Sequence, residues 1–92
     1  MKSVGRRKPS FSHRSRFETM ACILRNSSGA CRKTRLIYTC NLNSAQFDLY
    51  KGFLVEAGLL VSASEGGGEI LKTTEKGRRF LTDYDRIISL LG

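Results

Sequence analysis

The most regular pattern of apolar positions lies in residues 43–58. Its apolar side chains recur at spacings of three and four, which places them on one helical face: Phe47, Tyr50, Leu54 and Ala57. Asn43 is a favourable N-cap, and Gln46 follows it at the position of a capping-box partner. Gly58 supplies a left-handed residue of the kind that ends helices. The pattern therefore predicts one well-delimited helix, around which the rest of the chain can be arranged.

Two shorter helices are predicted before this one. The first is expected to begin at Ser15, because Ser15 and Glu18 have the spacing of a capping box, and to end in the segment 26–29. Its apolar positions are Phe17, Met20, Ala21, Ile23 and Leu24. The second helix is expected from about Cys31 to Cys40, followed by a short turn at residues 41–42. Its apolar positions are Leu36, Ile37 and Cys40, and Leu42 of the turn is expected to point inward.

The residues after the central helix predict a hairpin. Residues 59–61 enter a strand, residues 64–69 form a flexible tip with three glycines, and residues 69–73 return. The tip carries Glu65 and Glu69 and no cation, so we do not expect it to press on a phosphate. A phosphate-cradling loop is also disfavoured, because no Lys-Ser/Thr pair follows the glycines as it does in a P-loop.

The last predicted helix runs from about Glu75 to Leu91, with Thr73 or Thr74 as its N-cap. Its apolar positions form two overlapping stripes, which together are wider than a coiled-coil seam: Phe80, Leu81, Tyr84, Ile87, Ile88 and Leu91. One stripe can pack on the body of the chain while the other meets a second copy. The alternative is that all six residues complete the core of a monomer.

Helix, tight turn, helix and hairpin follow one another in the order of a winged helix-turn-helix. We therefore predict an α+β fold, mostly α, with three helices, a β-hairpin wing and a C-terminal helix. Residues 1–14 are assigned to a flexible basic arm and residues 15–92 to the winged-helix domain, with the C-terminal helix at 75–91. Its 92 residues suit one small domain. In this fold, residues 43–58 would be the recognition helix.

Charge is concentrated at the N-terminus. Of the formal net charge of +8, residues 1–16 contribute six basic side chains and no acid, while the remaining ten basic and eight acidic residues leave +2. A basic arm on a small domain indicates a polyanionic partner, most often nucleic acid. The alternative is a solubilising tail. No apolar run is long enough for a membrane helix and no secretory signal is recognisable, so a cytoplasmic, nucleoid-associated protein is expected.

Metal binding and catalysis find little support in the sequence. Cys22, Cys31 and Cys40 contain no CxxC pair, and the one histidine, His13, is remote from them. We therefore expect no metal and no cofactor, and interpret the cysteines as small buried side chains in a reducing compartment. No catalytic triad can be assembled without His13, and no small-molecule site is evident, so the chain is not expected to be an enzyme.

The residues resemble one family in particular, the small archaeal winged-helix DNA-binding proteins. The resemblance covers about residues 14–91 and rests on five segments: Arg14-Ser15-Arg16-Phe17-Glu18, Lys33-Thr34-Arg35-Leu36-Ile37-Tyr38, Asn41-Leu42-Asn43, Glu56-Ala57-Gly58-Leu59-Leu60, and Lys72-Thr73-Thr74-Glu75-Lys76-Gly77 with Phe80-Leu81. Members are regulator-like or chromatin-associated, and often dimerise through the C-terminal helix as an antiparallel coiled coil. The resemblance implies DNA binding, an archaeal source and a homodimer.

A DNA-binding transcription regulator is the function that these observations favour. The second helix would lie across the backbone and the third would enter the major groove by its N-terminal half. The residues expected on double-stranded DNA are Arg32, Lys33, Arg35, Asn43, Ser44, Gln46, Lys51, Lys72, Arg6, Arg7, Lys8, Arg14 and Arg16. The residues expected at the dimer interface are Phe80, Tyr84, Ile87, Ile88 and Leu91.

Two other functions stay open at this level. An architectural or chromatin DNA-binding protein would rely on the charge of the arm. A protein-interaction winged helix would explain the acidic wing and the central helix, which has one lysine against Asp48 and Glu56. Gly52 in the middle of that helix costs about 1 kcal/mol relative to alanine. Its presence indicates close approach by DNA or another helix, or simple tolerance.

Overall fold

The computed structural model describes the backbone of residues 8–91 and the side chains of residues 16–91. Residues 8–91 form seven elements: α1 (Lys8–Asn26), β1 (Cys31–Arg32), α2 (Lys33–Thr39), α3 (Ser44–Glu56), β2 (Leu60–Glu65), β3 (Gly68–Thr73) and α4 (Glu75–Leu91). This order confirms the predicted α+β, mostly helical winged helix-turn-helix. It also contains one short strand, β1, that the sequence pattern did not reveal.

The predicted start of the first helix at Ser15 is wrong, because α1 begins at Lys8. Pro9 is compatible with this start, since the first turn of a helix needs no N–H donor and favours the fixed φ of proline. Ser15 and Glu18 therefore lie inside α1 and do not cap it. The first seven residues of the predicted arm lie outside the described residues.

The predicted second helix is also too long at its N-terminus. Cys31 and Arg32 are extended and pair antiparallel with Leu71 and Ile70 of β3, so α2 begins only at Lys33. A two-residue strand leaves no periodicity to detect, and its stability comes from a partner far along the chain. The turn after α2 was correctly placed: Asn41 has φ +56°, a left-handed conformation that asparagine tolerates.

The central helix α3 has the predicted capping. The Gln46 N–H donates to Asn43 Oδ1 at 2.7 Å, and the Asn43 N–H donates to Gln46 Oε1 at 3.0 Å, so the capping box is complete. The helix ends before Gly58, whose φ is +80°. Phe47 and Leu54 are fully buried, as the apolar pattern predicted.

The three strands form an antiparallel sheet in the order β1-β3-β2. Strands β2 and β3 are the wing, and the turn between them is tighter than predicted because only Gly66 and Gly67 remain unpaired. Their φ values are +59° and +79°, and two positive φ angles in a two-residue turn match the twist of the flanking strands. The sheet is attached to α1 through Thr73, whose N–H donates to Ser27 O at 2.9 Å and whose Oγ1 donates to Leu24 O at 2.6 Å.

The core lies where the helices meet the sheet. Its larger buried side chains come from all four helices, both wing strands and the loop after α3: Met20, Ile23, Leu24, Leu36, Phe47, Leu54, Leu59, Leu60, Leu71 and Leu81. Of the predicted apolar positions of the first helix, Phe17 is the exception, since it is half exposed.

Helix α4 is positioned by its first turn. Of the two predicted N-cap residues, Thr74 is the one that caps α4. The Gly77 N–H donates to Thr74 Oγ1 at 3.1 Å, and the Thr74 hydroxyl donates to Gly58 O at 2.6 Å. Gly77 is buried against the Leu59 carbonyl, and a Cβ there would collide with that oxygen and lie 2.5 Å from Thr73 Cγ2. Further along, α4 packs on α1, where Arg25 donates to both carboxylate oxygens of Asp85, at 3.1 and 3.2 Å.

Two of the three cysteines are joined, which corrects the expectation of reduced, buried side chains. Cys22 of α1 and Cys40, the residue that ends α2, form a disulfide with their Cα atoms 6.0 Å apart. That separation is usual for a disulfide. Cys31 is a buried free thiol in β1. The sequence could not reveal the pairing, because it depends on where the end of α2 crosses α1.

Candidate nucleic-acid interface

A polar groove separates the wing from the N-terminal ends of α2 and α3. We call it the wing groove; its volume is about 700 Å³. Its walls are Arg32, Lys33, Thr34, Ile37 and Ser44 on the helical side and Ser64, Gly67, Gly68 and Glu69 on the wing. Three of the predicted DNA-binding residues, Arg32, Lys33 and Ser44, thus line one groove. The hydroxyl groups of Thr34 and Ser64 line it as well, from the helical side and the wing.

Arg32 brings a cation to a wing that has none at its tip. A Cβ at Gly68 would lie 2.9 Å from Arg32 Nη1, and one at Gly66 would lie 3.9 Å from Nη2. The guanidinium therefore rests against the turn in space that glycine leaves open. Sequence reasoning missed this arrangement because it placed Arg32 on the first turn of a helix, away from the hairpin.

Lys33 and Arg35 face different surroundings. Lys33 Nζ lies 5.8 Å from the centroid of the Phe47 ring, at the edge of the core, and Lys33 lines the wing groove. Arg35 is exposed and lines a second hollow with Asn26 and Arg32. The predicted backbone-facing cations are thus close together but not all in one groove.

The predicted base-reading residues sit at the start of α3, with two of them already engaged. The amide oxygens of Asn43 and Gln46 accept the reciprocal bonds of the capping box. The oxygen of Gln46 has a second lone pair, so Gln46 still has an NH₂ donor and an acceptor for a base while the box fixes the orientation of its side chain. Ser44 is exposed and borders the wing groove.

Lys51 is not free at the surface. Its Nζ donates to Glu69 Oε2 of β3 at 2.5 Å, and the Ser62 hydroxyl donates to the same oxygen at 2.5 Å. The hydrogen bond from Lys51, then that from Ser62, lower the pKa of Glu69 from its ordinary value, with Lys33 adding a smaller electrostatic contribution. Glu69 is therefore ionised at neutral pH and belongs to the site, although sequence reasoning treated it only as a wing-tip acid.

Lys72 points away from the wing groove. Successive strand residues face opposite sides of a sheet, and Leu71 and Thr73 of β3 face the core, so Lys72 lies on the outer face. Arg32 pairs with Ile70 and so starts from that outer face as well, but its guanidinium lies at Gly68, which lines the wing groove. Any DNA contact by Lys72 would therefore come from the outer side of the wing.

The basic residues of α1 are described only in part. Arg16 is exposed and, with Gln46, borders an apolar hollow of about 600 Å³ between α1 and α3. Lys8 and Arg14 belong to the backbone of α1, but their side chains lie outside the described residues, as do Arg6 and Arg7 altogether.

The five predicted dimer residues share one surface. Together with Phe17 and Asp83 they line a hollow of about 570 Å³ along α4 and α1: Phe80, Tyr84, Ile87, Ile88 and Leu91. Phe80 and Tyr84 stack with ring centroids 6.3 Å apart, and Ile87 is 55% exposed. We call this surface the α4 face. Leu90 is 81% exposed but lies outside it.

Within residues 16–91, no group of three or more potential ligand side chains is close enough to hold a metal ion. Among the described helices, none is long and apolar enough to cross a membrane.

The fold and the position of these residues define a winged helix-turn-helix protein. The chain matches the winged helix-turn-helix family over residues 13–92, and it belongs to that family. Sso10a-2, a DNA-binding protein from Sulfolobus solfataricus, is similar at 34% identity with a TM-score of 0.75, over 80% of this chain and 78% of that one.

More distant structures share the fold. SSV1 F-93 is 23% identical with a TM-score of 0.64, covering 84% of each chain. A MarR-family transcriptional regulator from Rhodococcus sp. RHA1 is 22% identical with a TM-score of 0.67, covering 84% of this chain and 55% of its own. No curated protein sequence matches the chain.

Proposed function

We propose that the protein is a DNA-binding transcription regulator of archaeal type, cytoplasmic and nucleoid-associated, that acts by binding and not by catalysis. The observation that carries this proposal is the wing groove, where Arg32 and Lys33 lie beside exposed hydroxyl groups at the start of the helix-turn-helix. Cations and hydroxyl groups are the usual partners of DNA phosphates. The similarity to the Sulfolobus DNA-binding protein supports the same function.

In this proposal, α2 lies across the phosphate backbone and the start of α3 enters the major groove. Arg32, Lys33 and Arg35 bind phosphates, while Asn43, Ser44 and Gln46 face base edges. Arg6, Arg7, Lys8, Arg14 and Arg16 add affinity that is independent of sequence and sensitive to salt. Lys72 binds phosphate from the outer face of the wing. Lys51 is the exception, because its pairing with Glu69 withholds it from phosphate.

The disulfide is compatible with an intracellular DNA-binding protein of this type. Intracellular proteins are generally poor in disulfides, but those of hyperthermophilic archaea and bacteria are a recognised exception. The Cys22–Cys40 pair therefore favours a thermophilic source and does not argue against a cytoplasmic location.

Selection of bound sequences from a random duplex pool, at about 50 and 200 mM salt, tests the proposed function. We expect enrichment of a defined sequence at both salt concentrations, with weaker total binding at the higher one. Binding without enrichment would favour the architectural function. Absence of duplex binding at the lower concentration would overturn DNA binding.

A protein-interaction function is the second candidate, because the exposed side of α3 is unusually apolar. Leu49 is 76% exposed and Phe53 59%, and Asp48 is exposed on the same helix. If no duplex binds, this surface becomes the first place to look for a protein partner. Substituting Leu49 by serine would then be expected to weaken capture of that partner.

We also propose a homodimer that forms through the α4 face. Exposed Ile87 and Leu91 beside half-exposed Phe17 make a continuous apolar strip that a second copy would cover. Sedimentation equilibrium of Ile88→Asp tests this, since a carboxylate in a buried apolar contact is strongly unfavourable. We expect a dimer for the wild type and a monomer for Ile88→Asp. Leu90→Asp, outside the face, should stay dimeric, and a monomeric wild type would contradict the proposal.

A further inference from the structure

Glu69 is an acid placed inside a groove that the proposed function assigns to phosphates. It lines the wing groove together with Arg32, Lys33 and Ser64. Its neighbour on the hairpin, Glu65, lies at the exposed end of β2. Two carboxylates on one short hairpin are thus placed very differently, and only Glu69 has the Lys51 ammonium as a partner.

The Lys51–Glu69 pair is partly shielded from water. The side chains of Lys51 and Glu69 are 29% and 22% exposed. The Ser62 hydroxyl donates a second hydrogen bond to the Glu69 oxygen that Lys51 binds. A pair with this degree of burial is less screened than an ordinary surface pair. It connects the middle of α3 to β3 and fixes the wing against the recognition helix.

The pair has two consequences for an approaching phosphate. The ammonium of Lys51 is held by Glu69, so it is not available for a phosphate contact without breaking a charge-assisted hydrogen bond. The carboxylate also repels the phosphate that Arg32 and Lys33 attract. Both effects weaken sequence-independent binding, whereas base contacts at the start of α3 are unaffected.

We propose that Glu69 is a specificity-determining residue, which holds Lys51 away from the DNA backbone and thereby lowers affinity for random duplex relative to the preferred sequence. This inference rests on the proposed function. If the inference holds, the protein binds random DNA less tightly than its number of cationic side chains suggests. It then distinguishes its preferred sequence from random duplex more strongly.

Glu69→Gln tests the proposal, with Glu65→Gln as the matched control. Both remove one negative charge from the same hairpin, but only Glu69→Gln releases Lys51. We expect Glu69→Gln to raise affinity for random duplex about five- to tenfold at 50 mM salt, and Glu65→Gln to change it less than about twofold. The gain should shrink about threefold between 50 and 200 mM salt, because each added phosphate contact steepens the salt dependence by about 0.9.

A double-mutant cycle separates release of Lys51 from a general charge effect. Lys51→Ala should not raise wild-type affinity, because Lys51 makes no phosphate contact there, and the unpaired Glu69 carboxylate should lower it slightly. In the Glu69→Gln background, the same substitution should remove most of the gain. Glu69→Ala should behave like Glu69→Gln and serves as the second variant if one of them folds poorly, as judged by thermal unfolding.

The outcomes distinguish this inference from the proposed function. Duplex binding by the wild type with equal effects of Glu69→Gln and Glu65→Gln would overturn the role of Glu69 and leave DNA binding intact. So would a loss of affinity in a folded Glu69→Gln variant. Absence of duplex binding by the wild type would refute the proposed function itself. An unchanged ratio of preferred to random sequence in Glu69→Gln would also contradict the specificity role.

Discussion

The two regions of the molecule leave opposite kinds of surface to a partner. The helix-turn-helix region, formed by α2, α3 and the wing, exposes cations, hydroxyl groups and one restrained carboxylate. The α1–α4 layer exposes the apolar α4 face. Each region contains a helix with an internal glycine, Gly52 in α3 and Gly77 in α4. Each also contains a carboxylate that pairs with a cation of another element, Glu69 with Lys51 and Asp85 with Arg25. The contrast teaches that the same residue types acquire different roles according to what lies opposite them.

The largest effect should come from reversing charge in the helix-turn-helix region. Arg32→Glu combined with Lys33→Glu should weaken duplex binding about 100-fold or more at low salt, for all sequences, because phosphate attraction becomes repulsion. Fluorescence anisotropy with a labelled duplex measures this. Arg79→Glu combined with Arg86→Glu makes the same charge change on exposed positions of α4. It should cost much less, and equal losses would mean that only net charge matters.

The next largest effect concerns the disulfide, which joins the two regions directly. Closing a loop with a sequence separation of 18 stabilises a protein by about 3 kcal/mol. Reduction, or Cys22→Ser with Cys40→Ser, should therefore lower the thermal midpoint by more than about 10 °C. Adding reductant to the double variant should have no further effect. A wild-type midpoint insensitive to reductant, with the thiols shown to be reduced, would contradict a stabilising role.

The glycines of α3 and α4 give a matched comparison of moderate size. Gly77→Ala should destabilise the fold by at least about 1 to 3 kcal/mol, since its Cβ would collide with the Leu59 carbonyl oxygen. Gly52→Ala meets no atom within 4 Å and should stabilise the isolated protein by up to about 1 kcal/mol. Urea unfolding measures both. A loss of duplex affinity in the more stable Gly52→Ala would indicate that DNA approaches this position closely.

The smallest effect is the response of the two paired carboxylates to acid. The pKa of Glu69 is lowered chiefly by its bond from Lys51, so its contribution to stability is full above about pH 5 and disappears as pH falls through the lowered value. Wild type and Glu69→Gln should differ by about 1 kcal/mol or less in unfolding free energy at pH 7, and the difference should disappear as the pH falls below the lowered pKa.

Asp85 provides the comparison from the α1–α4 layer. Its pKa is lowered chiefly by the bond from Arg25, so the sign is the same: the contribution is present at neutral pH and disappears on acidification. The side chains of Arg25 and Asp85 are each 52% exposed. Asp85→Asn should therefore shift the pH dependence less than Glu69→Gln does. A larger shift for Asp85→Asn would mean that the Arg25–Asp85 pair, and not the Lys51–Glu69 pair, is the better shielded from water.

The features predicted correctly from sequence are those that neighbouring residues determine. Three features depend on side chains within one turn of the backbone groups that they serve. They are the capping box of Asn43 and Gln46, the end of α3 before Gly58, and the start of α4 at Thr74. The apolar spacing also identified the α4 face, because residues separated by three or four positions must share a side of a helix. Such signals need no knowledge of the remaining fold.

The features that were missed depend on residues far apart in the chain. β1 exists because Cys31 and Arg32 meet β3, and the disulfide exists because α2 ends beside α1. The pairing of Lys51 with Glu69 was missed because the position of Lys51 on its helix carries no information about β3. One signal was available, since alternation along β3 places Glu69 on the inner side with Leu71 and Thr73. It could have suggested that Glu69 faces α3.

The burial of Cys31 limits the redox chemistry open to the folded chain. Three thiols permit three intramolecular pairings, but Cys31 lies in β1 against Leu71, whereas Cys22 and Cys40 are partly exposed. A thiolate must reach the sulfur that it attacks, so a shielded thiol exchanges slowly. After reduction in the native state, oxidation should therefore restore the Cys22–Cys40 bond without scrambling, and alkylating reagents should label those two cysteines before Cys31.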